Sequence, residues 1–417
     1  MSNARYDCII LGGGAAGLFA ASMLVKLTKG SSKILVIDGN DRCGKKLAMT
    51  GSGRCNLSNK EASAGKYHTD CPELLDACLK TFGSNDAIDF FENELGIVTV
   101  CDNGLYYPST YRAQTVIASF RFFLDESGVD MRLGSRCVKI AGDNGAYELT
   151  LKDGSVFSSA NLIVASGGST YPSTGSDGTC KTLLKWLVDP KDIVGFKPAL
   201  TSLTSRMQGI KALAGIRCKG SVMLSDGSAN IDSSEGEIIF SKEGGISGIC
   251  VMDISGKAVR LLDKGGKPVV YVDLIGRNVE QTVEMLELRR RKFGSRQIAS
   301  ALSGMMPRVL CEFVCRLSGI DPSDSMGQLS DKDISVFSSN ICSMKITIDG
   351  YGGNDKAQVA SGGVKLSAMN SDMQYRGRKG LYIIGEALNV DGRCGGYNLQ
   401  WAWSSAAAAA KGVAENV

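Results

Sequence analysis

Histidine is almost absent from this chain: one residue, His68, in 417. Catalytic triads and metal centres built on imidazole therefore lack their usual material, and no metal site is expected. His68 itself reads as a surface loop residue. There is no C-x-x-C among the 14 cysteines, and the nearest approach, Cys311 and Cys315, falls in an apolar helical pattern. Dithiol chemistry is thereby excluded. Cysteines scattered singly through so long a chain also do not form the disulfide framework of a small secreted domain. No apolar run reaches the roughly 18 residues of a membrane span. Arg5 ahead of an apolar stretch has the outline of a secretory leader, but Asp7 and a glycine turn interrupt it. A cytoplasmic protein with no membrane partner and no evident stable protein partner is expected. A net charge of +4 is mild and does not by itself call for nucleic acid.

What the chain does have, from its first residues, is YDCIILGGGAAG, a buried strand emptying into a glycine turn that opens a helix. Gly12, Gly14 and Gly17 fit G-x-G-x-x-G. The first permits the tight turn, the second lets the backbone approach a pyrophosphate, and the third lets helix pack on strand. Ala15 and Ala16 lie within the turn, and the helix that follows, LFAASMLVKL, aims its free N–H groups and positive dipole end at the same place. A second strand, KILVID, ends at Asp38, 21 residues beyond Gly17, where a carboxylate can accept the hydroxyls of an adenosine ribose. Strand, glycines, helix, strand and acid together predict a dinucleotide site.

The passage after Asp38, GNDRCGKKLAMTGSGRCNLSN, has neither helical nor strand period, and a loop of that length is usually functional. Helices are predicted over 72–82, 84–95 and 112–127, with short strands near 97–107. From 129 to 156 the period switches to two, predicting an antiparallel meander. NLIVASGGSTYPSTGSDG is another buried strand ending in a glycine and serine loop. From Pro198 to Asp273, including GEIIFSKEGGISGICVMDIS, the chain reads as short strands separated by turns. Residues 278–320 read as helical and basic, with Arg289, Arg290, Arg291, Lys292 and Arg296 close together; a solvated face or an RNA surface explains that run. GLYIIGE, ALNVDGRCGGYN and LQWAWSSAAAAAKGV close the chain as strand, loop and helix.

GGGAAG, GSGRCNLSN, ASGGSTYPSTGSDG, GEIIFSKEGGISG, VASGGV and GLYIIGEALNVDGRCGGYNLQWAWSSA together resemble the BaiN/RdsA-type bacterial flavoproteins, a branch of the two-dinucleotide-binding superfamily related to glutathione reductase. The resemblance spans nearly the whole chain. It implies an α/β fold: a Rossmann-like FAD-binding domain (1–196 and 353–417) split by an inserted β-barrel-like domain (197–275 and 336–352) that carries a small helical subdomain (276–335). It implies noncovalent FAD, with NAD(P)H as transient reductant. The chain departs from its relatives at Asp38, where a Glu is common, and at Ser241 and Lys242, where a Thr-His pair is common.

The resemblance places Gly39, Lys45, Gly53, Arg54, Cys55 and Asn56 along the cofactor, with Arg54 suited to a phosphate or the flavin edge. Val138 matches a residue whose backbone meets adenine, and reads equally well as strand core. Ser166 and Gly167 belong to the second glycine loop. Gly385 and Glu386 fall where relatives set an acid against the ribityl and pyrophosphate region. Gly395, Gly396, Tyr397 and Asn398 open the last helix, whose N–H groups would point at the N1–C2=O edge of the flavin; Tyr397 also reads as core packing. No second complete G-x-G-x-x-G is present. The implied activity is reduction of a carbonyl-conjugated C=C bond, in an oxo-steroid or in a uridine of ribosomal RNA, with Tyr171 and Tyr397 as candidate proton donors. The rival is a flavin-binding redox sensor or assembly factor without turnover.

Overall fold

The computed structural model describes residues 4–417, and the chain falls into two compact units, Met1–Lys197 with Gln358–Val417, and Pro198–Ala357. In chain order the first unit contains β1 (Ala4–Leu11), α1 (Ala15–Thr28), β2 (Ile34–Ile37), β3 (Ser58–Asn59), β4 (Tyr67–Thr69), α2 (Pro72–Thr81), α3 (Ser84–Asn93), β5 (Thr99–Asp102), β6 (Leu105–Pro108), α4 (Ala113–Glu126), β7 (Asp130–Arg132), β8 (Cys137–Asp143), β9 (Ala146–Leu151), β10 (Val156–Val164) and α5 (Thr179–Leu187). After β11 (Ile193–Ala199) come β12 (Leu203–Thr204), β13 (Arg217–Ser225), β14 (Asn230–Ser241), β15 (Gly245–Ser247), α6 (Ile249–Asp263), β16 (Val269–Asp273), α7 (Val279–Lys292), α8 (Ile298–Ala301), α9 (Arg308–Leu317), α10 (Asp331–Cys342), β17 (Met344–Thr347) and β18 (Gly350–Tyr351). The chain ends with β19 (Val359–Val364), β20 (Leu381–Ile383), β21 (Val390–Gly392) and α11 (Tyr397–Ala414).

The first unit is Rossmann-like. Its parallel strands run β7-β2-β1-β10-β20, the 3-2-1-4-5 part of the doubly wound order. Strand β10 forks one edge of this sheet: residues 156–159 pair antiparallel with β9, and residues 162–164 pair parallel with β20. Strands β1, β2 and β10 are apolar runs because helices cover both faces of a parallel sheet. The expected meander over 129–156 is shortened at its start, since β7 joins the parallel sheet beside β2 and only β8, β9 and the first half of β10 form the meander.

Helix α1 is buried along most of its length and packs on α11. The alanine run of α11 lets the helix backbones approach, and Phe19 of α1 meets Trp403 at 5.1 Å between ring centroids. Both indoles are buried with their N–H groups satisfied: Trp401 Nε1 donates to Gly385 O (3.2 Å) and Trp403 Nε1 to Leu57 O (2.7 Å). The last helix thus holds two of the loops at the strand ends.

The second unit has a seven-stranded sheet in the order β17-β16-β13-β14-β15-β12-β18, an open path with β17 and β18 at its ends; barrel closure is not part of this pairing. The stretch ICVMDISGKAVRLLD, expected to continue the short strands, is helix α6. Its buried positions Cys250, Val251, Ile254, Ser255, Ala258 and Val259 follow the 3.6-residue period, which the aliphatic β-formers at its start mask. Residues of α7 to α10, such as Leu286, Leu310 and Phe337, share one apolar cluster with sheet residues such as Val222 and Ile346.

Candidate functional site: a dinucleotide cradle at the strand ends

Four loops of the first unit meet at the carboxyl ends of β1, β2, β10 and β20, where ligands of open α/β sheets bind. The first is the glycine turn. A Cβ on Gly17 would overlap the carbonyl oxygen of Gly12, and one on Gly12 (φ 118°) the carbonyl oxygen of Ala165. Gly14 is different: a Cβ there meets nothing within 4 Å. Protein packing explains Gly12 and Gly17, whereas Gly14 leaves room for something that is not protein. The first-turn N–H groups of α1 have no intrahelical acceptors, and no acidic side chain sits in that turn.

Asp38 stands at the end of β2, beside the glycine turn. Its Oδ2 accepts from Gly13 N (2.7 Å) and its Oδ1 from Asn40 N (2.7 Å) and Asn40 Nδ2 (3.0 Å). A carboxylate offers about four lone-pair sites, so one on Oδ2 remains for a hydroxyl. Asn40 also donates to Thr174 O (3.1 Å), tying this end to the loop after β10. The backbone of 134–135 lies alongside, with Ser135 N on Asp38 O (2.9 Å). Arg136, near Gly39, holds Asp177 at 2.8 Å. Val138 is 44 % exposed at an irregularity in the β8–β9 register, which takes it out of the strand core.

The loop after β10 carries the sharpest sign of an absent partner. The hydroxyls of Ser166, Ser169 and Ser176 are buried without a hydrogen-bond partner, an arrangement that costs free energy unless a ligand or water supplies one. Ser166 faces the Cys180 thiol, and Gly167 lies against Ser176. Next to them Thr170 Oγ1, Lys46 Nζ and Glu386 form a closed group. Lys46 Nζ lies 2.7 Å from Glu386 Oε2 and 2.9 Å from Thr170 Oγ1, and Glu386 Oε1 accepts from Ala360 N at 2.7 Å. The neighbouring Lys45 pairs with Asp41 at 2.7 Å. Tyr171, next to Thr170, is half-buried with φ 56°.

The loop GRCNLSN and the start of α11 are built for each other. With its amide oriented to suit its neighbours, Asn56 donates to Ser58 O (2.8 Å) and accepts from Gly396 N (3.1 Å). Asn59 Nδ2 donates to Gly395 O (2.8 Å) and Ser58 Oγ to Gln400 Oε1 (2.6 Å). A Cβ on Gly396 would press on Ser58 at 2.7 Å, so this glycine (φ 87°) serves close packing of the loop under the helix, and its N–H is engaged. Asn398 likewise spans Gly392, accepting from its N–H and donating to its carbonyl, both at 2.9 Å. Tyr397 is buried with its ring edge-on to Tyr67, whose hydroxyl donates to Tyr397 O (2.8 Å). Burial pushes the Cys55 thiol up to about 12, so it stays protonated at neutral pH. Arg54, beside Gly53, is exposed and stacks over Tyr107 at 5.3 Å.

His68 is not a loop residue. It sits in β4, directly opposite Asp391 of β21, with Nδ1 3.1 Å from Asp391 Oδ1. A three-residue strand paired 320 residues away leaves no local period, so the sequence carried no signal for it. No cluster of metal-ligating side chains occurs among the described residues, and no helix there is long and apolar enough to cross a membrane.

The residues present fit a dinucleotide: open space at Gly14, an available acceptor at Asp38, free helix N–H groups and three unpartnered hydroxyls. Fold and site together define an FAD-dependent oxidoreductase. The chain belongs to the HI0933-like protein Rossmann domain family, whose model matches residues 6–412. It is 30 % identical over 408 residues to a 3-dehydro-bile acid delta(4,6)-reductase of Clostridium scindens, covering 97 % of this chain and 98 % of that protein. It is 27 % identical over 422 residues to the ribosomal RNA dihydrouridine synthase of Escherichia coli, covering 98 % of each. Among solved structures, the 3-ketosteroid delta1-dehydrogenase of Sterolibacterium denitrificans shares the fold, with a TM-score of 0.50 at 13 % identity and full coverage of both chains.

Proposed function

We propose that this protein reduces a carbon–carbon double bond conjugated to a carbonyl, in the cytoplasm, with NAD(P)H as electron donor. The carrying observation is the end-to-end likeness to two reductive enzymes with unlike substrates, a bile acid and a ribosomal RNA. What an unsaturated 3-oxo-steroid and a uridine share is an alkene next to a carbonyl. Bound FAD would supply the hydride.

The chain's own part is to hold and orient. Gly14 gives the pyrophosphate room, the first-turn amides of α1 meet its charge, and Asp38 takes a ribose hydroxyl. Ser169 and Ser176 gain the partners they lack. The Lys46–Glu386 pair, braced by Thr170 and Ala360, fixes the loops after β2, β10 and β20 around one space. Cys55, held protonated, takes no part as a nucleophile. We assign proton delivery to Tyr171 ahead of Tyr397, because Tyr171 is half-exposed in the loop after β10, next in the chain to Thr170, whereas Tyr397 is buried against Tyr67.

The test is a two-stage reaction without oxygen. NADH or NADPH should bleach the bound flavin, and a conjugated oxo-steroid or a uridine-containing RNA should restore its colour while gaining two hydrogens. Bleaching that neither acceptor reverses would overturn the proposal and favour a redox sensor. Tyr171→Phe should slow the second stage and leave the first unchanged; an equal rate in both removes Tyr171 from the proton path.

A further inference from the structure

A cleft of about 710 Å³ in the first unit is formed by the end of α5, the turn after it and the loop before β20. It is separate from the cradle loops, and its lining includes Lys185, Trp186, Lys191, Tyr375, Arg376 and Arg378. Its size is that of a small-molecule site.

Four cations face two carboxylates, Asp189 and Asp192, and internal contacts use both acids. Asp189 holds Lys191 at 3.2 Å, and Asp192 accepts from the Tyr375 hydroxyl at 2.9 Å. Arg376 gives only its Nε to Met369 O (3.1 Å), and Arg378 one terminal nitrogen to Gly142 O (3.3 Å). Both guanidinium groups keep further N–H donors in their fork. The turn that carries them is built in place: a Cβ on Gly377 would overlap the ring of Tyr375, so glycine lets the Arg-Gly-Arg turn lie on that buried tyrosine.

Trp186 adds a second kind of recognition. Of the three tryptophans, Trp401 and Trp403 are 1 % and 0 % exposed, and Trp186 is 41 % exposed in this cleft. An exposed indole beside unspent guanidinium donors suits a ligand with both an aromatic face and a phosphate. The basic run that begins in α7, the other candidate for such a ligand, is partly engaged within the protein. Arg290 is held by Glu287, Asp331 and Leu329 O, and Arg296 lies over Phe293.

We propose that this cleft is a nucleotide site, with a base stacked on Trp186 and its phosphate held by Lys185, Arg376 and Arg378. The nucleotide can come from a single RNA strand or from a free nucleotide. The RNA source rests on the proposed RNA-reducing activity; the free source does not.

The test uses the FAD-saturated protein and follows tryptophan emission, because only Trp186 is open to a stacking partner. The probes are a short single-stranded uridine RNA, ADP and inorganic phosphate. Quenching by RNA that weakens steeply with salt, and exceeds that by ADP, assigns an RNA strand; equal or stronger quenching by ADP assigns a free nucleotide. In either case Trp186→Ala and the pair Arg376→Gln with Arg378→Gln should each weaken binding about tenfold, measured by filter retention of labelled RNA or equilibrium dialysis of ADP. Trp186→Phe and the paired Arg→Lys variants should retain most of it, separating recognition from misfolding. No binding of either nucleotide, or binding that the Trp186→Ala and Arg→Gln variants leave unchanged, overturns the proposal. So does phosphate competing as well as ADP. Reduction of a small oxo-steroid by the Arg→Gln pair should equal that of the parent, so failure of this site and failure of the proposed activity are read separately.

Discussion

The two glycine turns that open α1 and α11 look alike in sequence and differ in what surrounds them. GGGAAG and GGYN each end a strand-loop passage with glycines and begin a long buried helix. At the first, Gly12 and Gly17 are enclosed by protein while Gly14 faces open space. At the second, Gly396 lies on the backbone of Ser58 and its N–H is bonded to Asn56. One turn leaves a gap that a ligand can fill; the other seals a loop against a helix. A glycine before a helix therefore states only that something comes close, and the neighbour decides whether that is a cofactor or the chain itself.

The largest expected effect tests the enclosed part of the first turn. Gly17→Val would drive a side chain into the Gly12 carbonyl, and the helix cannot move away without leaving α11. A loss of roughly 4 kcal/mol or more is expected, the exceptional range for one substitution. Urea unfolding should show little folded protein with or without FAD; a parent-like midpoint would mean that α1 does not pack as described.

Gly396→Val comes next and separates the two turns directly. A β-branched residue at φ 87° pays the left-handed cost and also meets Ser58, about 2–4 kcal/mol together. Because the neighbour is protein, the thermal midpoint should fall for the apoprotein and holoprotein alike. A normal midpoint with a shifted flavin potential would instead support the expected place of this turn at the flavin edge.

The contrast between the two turns shows which features were legible. The first turn, Asp38 and the strands around them could be read because a parallel sheet buries continuous apolar runs and because G-x-G-x-x-G has a spacing fixed by its own geometry. Asn56, Ser58, Asn59 and Gln400 could be quoted as motifs but not as contacts, since their pairing joins residues over 330 positions apart. Helix α6 was hidden by the aliphatic run at its start, and the Lys46–Glu386 pair joins residues 340 positions apart, beyond any local pattern.

Asp38→Ala should have a more moderate effect. It strips acceptors from Gly13 N and Asn40 N and from the ribose, so FAD binding should weaken by about 1.5–3 kcal/mol. Flavin content after dialysis measures it; an unchanged dissociation constant would remove the carboxylate from the ribose.

Gly14→Ala should disturb the protein least. Its backbone (φ −83°, ψ −166°) is extended and open to any residue, and a Cβ there meets nothing, so the apoprotein should unfold within about 0.5 kcal/mol of the parent. The added methyl projects into the space left for a pyrophosphate. FAD affinity should therefore drop about tenfold, close to 1.4 kcal/mol, in a chain whose stability has not changed. A packing glycine cannot give that combination, because its clash is present before the ligand arrives. Unchanged stability with unchanged FAD affinity would show that the gap at Gly14 is not the cofactor's, and the contrast between the two turns would collapse at the turn where it is sharpest.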